Sequence, residues 1–273
     1  MGEPVHIIGA GVVGSTLMRV LQFHGADFTW SDNDSEVVAW KASTGSVCHE
    51  AKDPAGLFDT WRTFAERCLH PAEYEEVPHL EFKNGSWFQG HETSFHLDVQ
   101  SFVLNSRAIY ADRRVAAPPP GAMTVQTAGS MTALSFWWGW SVQIRAEMLR
   151  RCSYSARVVR QVRYLYPKPG SDLFYLGSSI TFQRKPKELN IQKHIDWFNR
   201  DWKGVMPFGA GEGEYTIVTE PVHGWRPVGT PGRWEESREG NVVINPMSAS
   251  GVKYSPFVAQ QIVNRYWPWL IGA

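Results

Sequence analysis

Apolar and polar positions alternate in a regular order at the start of the chain. An apolar run over 5–8 leads into a glycine-rich turn, and an amphipathic stretch over 11–24 follows with helical periodicity. A second apolar run over 28–31 ends on Asp32. This order predicts a strand, a helix and a second strand joined by short connections.

The turn after the first strand has the pattern Gly9-x-Gly11-x-x-Gly14. Gly9 allows a tight turn, Gly11 lets the backbone approach a pyrophosphate, and Gly14 lets the helix pack closely on the strand. The unpaired N–H groups at the helix N-terminus favour an anion there. Asp32 has the spacing of an acid that accepts hydrogen bonds from a ribose. The pattern therefore predicts dinucleotide binding, and an ordinary βαβ unit with convenient glycines is the alternative.

The rest of the chain alternates between helical and extended patterns. Helices are predicted over 34–41, 54–70, 99–111, 188–202 and 255–266. A hairpin is predicted over 75–95, and strands over 123–127, 133–144, 157–166, 172–183, 214–219 and 241–245. Consecutive prolines at 118–120 predict a loop, and so do the small residues of 246–252.

This order predicts two domains built from discontinuous segments. The fold class is α/β, or α+β overall, with a Rossmann-like nucleotide-binding domain and a second domain around a mostly antiparallel sheet. The nucleotide-binding domain takes residues 1–72, 96–132 and 238–273, and the second domain takes residues 73–95 and 133–237.

Composition narrows the class of protein. The chain has 27 basic and 27 acidic residues, so a global field that attracts polyanions is not expected. No apolar run approaches the roughly 20 residues that span a bilayer, and the first strand begins without a signal peptide. Its 3 cysteines lack the spacing of metal ligands. We therefore expect a cytoplasmic protein with no metal and no membrane partner. Most of the 13 tryptophans are expected in the core.

Five segments, in order along nearly the whole chain, resemble the D-amino-acid oxidase and glycine oxidase family of FAD-dependent oxidoreductases. The first is the glycine turn with Asp32. The others are 42–46, 125–129, 224–228 with its Gly-x-Arg-Pro pattern, and 243–251. The resemblance implies a shortened member of the family that binds FAD. Its implied cofactor contacts are Gly9, Gly11, Gly14, Asp32, Ser43, Thr44, Ser46, Ala128, Gly129, Ser250, Gly251 and Val252.

The resemblance also implies the residues that hold the substrate. Arg226 matches the arginine that pairs with the substrate carboxylate, and a guanidinium suits a carboxylate because it donates two parallel hydrogen bonds. Tyr164 falls where the family places a hydroxyl near the same carboxylate. The alternatives are a structural arginine at a sheet edge and a packed strand tyrosine. The helix N-terminus after Ser250 would stabilise negative charge on the reduced flavin.

The implied reaction oxidises the C–N bond of an amino acid or a glycine-like amine. A hydride passes to flavin N5, and water hydrolyses the imine. We expect no general base from the protein, because orientation and a neutral amine suffice. His96 and His194 are expected to be structural histidines with satisfied hydrogen bonds.

Other functions stay open at this point. The amine could be carried on a macromolecule such as a glycyl-modified nucleobase, because 145–187 is locally basic and basic strand faces can contact phosphates. A solvated face balanced by acids is the simpler interpretation. A non-catalytic flavin- or nucleotide-binding protein and an NAD enzyme are further alternatives. The sequence leaves the oligomeric state open.

Overall fold

The computed structural model describes part of the chain in detail. The described residues are 4–32, 45–48, 56–83, 86–127, 135–147, 149–158, 161–183, 215–230, 232–237, 239–245 and 251–270. The helices predicted over 34–41 and 188–202 lie outside them.

Four α-helices and fourteen strands are described in these ranges. The helices are α1 (Val12–Phe23), α2 (Leu57–Cys68), α3 (Val99–Ile109) and α4 (Gly251–Tyr266), with short 3₁₀ turns at Ala111–Arg113 and Pro268–Leu270. The strands are β1 (Val5–Ile8), β2 (Phe28–Ser31), β3 (Gly45–Cys48), β4 (Tyr74–Lys83), β5 (Ser86–Leu97), β6 (Met123–Gln126), β7 (Phe136–Arg145), β8 (Ser153–Val158), β9 (Gln161–Pro167), β10 (Leu173–Gln183), β11 (Thr216–Ile217), β12 (Val222–Pro227), β13 (Trp234–Glu236) and β14 (Val242–Ile244).

The first sheet has five strands in the order β13-β14-β6-β1-β2. The pairs β1–β2, β1–β6 and β14–β6 are parallel, and β13 adds an antiparallel edge. Val5 and Ile7 of β1 are buried, as are Leu17 and Leu21 of α1. A parallel sheet must be covered on its faces, and helices here supply that cover.

The second sheet contains β11-β7-β10-β9-β8-β4-β5-β3 in that order, and β12 pairs with β7 on the side away from β10, along the same edge as β11. All its pairs are antiparallel except β4–β8. One face carries a buried apolar cluster that includes Trp138, Trp140, Leu165 and Leu176. The α/β fold class with a mostly antiparallel second sheet is therefore confirmed. The domain boundaries stay a prediction.

Three element predictions need correction. The single strand predicted over 157–166 is two strands, β8 and β9, which pair antiparallel. Residues 45–48, 222–227 and 234–236 form strands that the pattern did not predict. The last helix begins at Gly251 rather than at 255, and it contains Pro256.

Pro256 is tolerated inside α4 because two other groups donate hydrogen bonds to the carbonyl that its missing N–H would leave without a partner. Proline has no N–H to donate to the carbonyl four residues before it, which is that of Val252. The indole N–H of Trp61 donates to that carbonyl at 3.0 Å, and the Ser255 hydroxyl donates to it at 3.3 Å. A tertiary contact from α2 thus lets the helix extend through a residue that usually ends one. None of the helices described in the structure has the length and apolar character needed to cross a membrane.

Candidate functional site

The glycine turn between β1 and α1 is shaped for a ligand that approaches the backbone closely. Gly9 has φ 98°, in the left-handed region, and its N–H donates to the Ser31 carbonyl at 2.8 Å. A Cβ at Gly14 would collide with the carbonyl oxygen of Gly9. A Cβ at Gly11 would meet nothing within 4 Å, so this side of the turn is open. No side chain caps α1 at Gly11, which leaves its first N–H groups for an anion.

Thr127 joins the end of β6 to this turn. Its hydroxyl lies 2.6 Å from the Gly9 carbonyl oxygen and 3.1 Å from that of Ile8. These hydrogen bonds place Thr127, at the end of β6, beside the turn, and Ala128 and Gly129 lie outside the described part. Ser43, Thr44 and Ser250 also lie outside it. The sequence analysis missed Thr127, and its place directly before Ala-Gly at a strand end was the available signal.

Asp32 lies at the end of β2 and forms an ion pair with Arg107 of α3. The Asp32 side chain is 8% exposed and that of Arg107 is 22% exposed. Arg107 also donates from Nε to the carbonyl of Ala10, in the glycine turn, at 3.1 Å. One guanidinium therefore holds both the turn and the acid. The ion pair uses Oδ2 of Asp32, and a carboxylate has further lone pairs that can accept from a ribose hydroxyl.

Gly251 and Val252 lie in the first turn of α4 rather than in a loop. The Val252 side chain is buried, and its carbonyl accepts the Trp61 and Ser255 hydrogen bonds. The backbone N–H groups of this first turn are the groups that a ligand could use there. Strand β3, which contains Ser46, pairs with β5 so that Ser46 is opposite His96.

Tyr164 is buried in β9, and its ring stacks on that of Tyr166 with centroids 4.7 Å apart. Its hydroxyl donates to the Trp140 carbonyl at 3.3 Å, across Gly177 of β10. A Cβ at Gly177 would collide with the Tyr164 hydroxyl and the Trp140 carbonyl oxygen. Glycine in the middle of this strand therefore makes room for the phenol.

The strand register puts positions 164 and 226 on the same face of the second sheet. Tyr164 is opposite Gly177, Gly177 is opposite Ser141, and Ser141 is opposite Val222. Positions 222, 224 and 226 share a face because side chains alternate along a strand. The two positions are three strand spacings and four residues apart, about 19 Å on a flat sheet. They share a face without being neighbours.

The face between these two positions contains four residues with small side chains or none. Its backbone positions are Gly177, Ser141, Gly139 and Gly224, and Gly139 is opposite Gly224. Glycine inside a strand often marks a place where a ligand approaches. We call these four residues the glycine floor. The sequence analysis missed it, and the available signal was Gly139 and Gly177 inside predicted strands.

His96 departs from the expectation of a satisfied histidine. It is 1% exposed, and neither ring nitrogen has a hydrogen-bond partner in the described part of the chain. Its ring lies 4.8 Å from that of Tyr166, although β4 and β8 separate β5 from β9 in the sheet. Burial, with smaller contributions from the charges of His79 and Arg151, lowers the pKa of His96 to about 3.

The depressed pKa of His96 predicts acid destabilisation. The unfolded chain takes up this proton near pH 6.5, whereas the folded chain does so only near pH 3. Its contribution is therefore complete above pH 6.5 and decreases as the pH falls towards 3. We expect a loss of about 2 kcal/mol between pH 7 and pH 5 from this group. Urea unfolding at both pH values should show a smaller loss for His96→Phe. Equal losses in the two proteins would refute the assignment.

In the basic segment 145–187, several of the positively charged side chains are paired or buried. Arg145 pairs with Asp172 at 2.8 Å, and Arg151 pairs with Glu75 through two hydrogen bonds of 2.6 and 2.5 Å. Arg163 is 1% exposed. The side chains at 157, 160, 184 and 185 lie outside the described part. A nucleic-acid partner stays an untested expectation.

No known family model matches the sequence, and no curated protein matches it. Several solved structures are similar to this chain in fold. The iminodiacetate oxidase of Chelativorans sp. BNC1 is 15% identical with a TM-score of 0.68, over 95% of this chain and 94% of that one. The glycine oxidase of Bacillus cereus ATCC 14579 is 13% identical with a TM-score of 0.70, over 99% and 95%. The glycerol-3-phosphate dehydrogenase of Bacillus halodurans, solved with FAD, is 12% identical with a TM-score of 0.63, over 99% and 65%.

The fold and the glycine turn define a class: the chain has the fold of FAD-dependent oxidoreductases. Within that class, the likeness to iminodiacetate oxidase and glycine oxidase confirms, at the level of the fold, the resemblance to the D-amino-acid oxidase and glycine oxidase family. The identities are too low to transfer a substrate.

Proposed function

We propose that the protein is an FAD-dependent oxidoreductase that oxidises the C–N bond of an amino acid or a glycine-like amine bearing a carboxylate. The observation that carries this proposal is the glycine floor between Tyr164 and position 226, on one face of the second sheet. Glycines in these strands allow a ligand to approach the backbone closely, and the floor has a tyrosine at one end and an arginine position at the other.

The described residues fit FAD at its nucleotide end. The open side at Gly11 and the uncapped N-terminus of α1 suit a pyrophosphate. Asp32 suits the ribose, and Arg107 fixes its carboxylate. The first turn of α4 presents N–H groups of the kind that stabilise negative charge on a flavin ring. When bound, FAD supplies a two-electron acceptor for substrate hydrogen.

The protein's own part in this reaction is to bind and orient the substrate. Arg226 would hold the carboxylate through two parallel hydrogen bonds. Tyr164 would exchange its 3.3 Å bond to the Trp140 carbonyl for one to the same carboxylate. Binding holds the substrate in one orientation, so the entropy lost in orienting it no longer contributes to the activation free energy. The amine reacts in its neutral form, so no protein base is assigned to the step.

The test is an anaerobic visible spectrum of the purified protein with added substrates. Sarcosine, glycine, iminodiacetate and D-alanine are added separately to the FAD-loaded protein. Bleaching of the flavin band by at least one of them is the expected result, and its rate ranks the substrates. A flavin band that none of these amines bleaches would refute the small-amine substrate. A protein that fails to bind added FAD would refute the whole proposal.

Arg107 should strengthen FAD binding through Asp32. Arg107→Gln removes the ion pair and the bond to the Ala10 carbonyl, so the acid and the turn lose their common support. We expect the Kd for FAD to rise about tenfold, which corresponds to about 1.4 kcal/mol. Titration of the apoprotein with FAD, followed by flavin fluorescence, measures this.

Arg62→Gln is the matched control for this prediction. Arg62 pairs with Glu76 at 3.2 Å on the surface, with both side chains at least one-third exposed. Its loss should leave the Kd for FAD unchanged. Equal affinities for the Arg107 and Arg62 variants would mean that Asp32 needs no support from α3.

A further inference from the structure

We propose that His96 contacts the flavin ring of bound FAD and hydrogen-bonds the amide edge of its pyrimidine through a neutral imidazole. The proposal rests on FAD binding in the proposed function and is independent of the amine substrate.

The first observation is that the imidazole of His96 is buried without hydrogen bonds. Both ring nitrogens are inaccessible and lack a partner in the described part of the chain. Buried polar side-chain atoms nearly always have partners, and an exception calls for a ligand, an ion or a water. His79, a second buried histidine of the same sheet, shows the usual arrangement. Its nitrogens lie 2.9 Å from the Ser153 hydroxyl and 3.1 Å from that of Ser155.

The second observation is where His96 lies. It is opposite Ser46 of β3, in the segment whose resemblance to the oxidase family implies contact with the flavin. Its neighbour Phe95 stacks on Trp61 with ring centroids 5.4 Å apart. The Trp61 indole in turn donates to the Val252 carbonyl in the first turn of α4. Strand β5 thus pairs with one of the segments expected beside the ring, and through Phe95, on the strand face opposite to His96, it contacts the helix that meets the other.

The third observation concerns the chemistry of the side chain. With a pKa of about 3, the imidazole is neutral in any physiological buffer, so it has one N–H donor and one nitrogen acceptor. The pyrimidine edge of an isoalloxazine carries an N–H beside a carbonyl, which is the complementary pair. The Tyr166 ring packs against the imidazole and limits its rotation.

The experiment compares three variants with the wild type, all in the full chain. His96→Phe keeps an aromatic ring and removes both hydrogen-bonding atoms, whereas His96→Gln keeps a donor and an acceptor. His79→Phe is the matched control, because it removes a buried histidine whose partners are protein hydroxyls. The readouts are the Kd for FAD, the visible spectrum of the bound flavin and its midpoint potential.

We expect His96→Phe to raise the Kd for FAD at least tenfold and to shift both the spectrum and the potential, because it leaves the flavin amide unpaired. His96→Gln should recover part of the affinity. His79→Phe should lower thermal stability without changing the spectrum or the potential. An affinity, spectrum and potential in His96→Phe equal to those of the wild type would overturn the proposal while FAD binding stands.

A second measurement needs no variant. FAD methylated at flavin N3 cannot donate from that position, and the wild type should bind it at least tenfold more weakly than FAD. Equal binding of the two cofactors would also overturn the proposal. Failure of the wild type to bind FAD at all would overturn both this proposal and the proposed function.

Discussion

Gly14→Ala is expected to abolish FAD retention through purification. The added Cβ would collide with the Gly9 carbonyl oxygen and lie 2.9 Å from the Thr127 hydroxyl. Both obstacles are fixed, because Thr127 donates to the same carbonyl at 2.6 Å and Gly9 is held by its bond to Ser31. Helix α1 must therefore move away from β1, and its N-terminus leaves the position suited to a pyrophosphate.

We expect the Kd for FAD to rise at least a hundredfold in this variant, a free-energy change of about 2.7 kcal/mol. Overpacking should also lower the free energy of unfolding by about 1–3 kcal/mol. Fluorescence titration and urea unfolding of the apoprotein measure the two effects separately.

The Gly11→Ala variant distinguishes a loss of FAD affinity caused by blocking the ligand from one caused by disturbed helix packing. A Cβ at Gly11 meets open space, so the stability of the apoprotein should stay close to that of the wild type. Its FAD affinity should still fall, because the methyl group would occupy the space into which a pyrophosphate approaches. A Gly14→Ala protein with wild-type stability and wild-type FAD affinity would contradict the assigned role of this turn.

Arg226→Ala is expected to lower kcat/KM for a carboxylate-bearing amine by about 10²–10³, which corresponds to about 2.7–4.1 kcal/mol and lies within the range of about 2–5 kcal/mol for truncating one partner of a charged pair. Position 226 shares its sheet face with Tyr164 and borders the glycine floor. The variant should still bind FAD, because the turn proposed to hold its nucleotide end belongs to the other sheet. Stopped-flow reduction of the flavin under anaerobic conditions gives the rate.

Two further variants make this test specific. Arg226→Lys keeps the charge but loses the planar fork of donors, so its rate should fall between those of the wild type and the alanine variant. Arg145→Ala removes an exposed arginine of β7 that pairs with Asp172, and it should leave the rate unchanged. Unchanged reduction in Arg226→Ala would remove the carboxylate role.

Elements with a strong local pattern could be predicted from the sequence. Helix α2 occupies Leu57–Cys68 within the predicted 54–70, and α3 occupies Val99–Ile109 within the predicted 99–111. The hairpin predicted over 75–95 forms from β4 and β5. These predictions succeed because periodicity, turn residues and capping act within a few residues of one another. The start of α4 was wrong, since a hydrogen bond from Trp61 compensates for Pro256.

By itself, the sequence determined the glycine turn, the acid after β2 and the fold class, because each depends on backbone constraints that neighbouring residues encode. Tertiary structure alone decided that Arg107 meets Asp32, that His96 is buried without a partner, and that three glycines and a serine form a floor between positions 164 and 226. Arg107 and Asp32 are 75 residues apart in the chain, and the floor draws on three strands. Such contacts depend on strand register and helix packing, which no local pattern specifies.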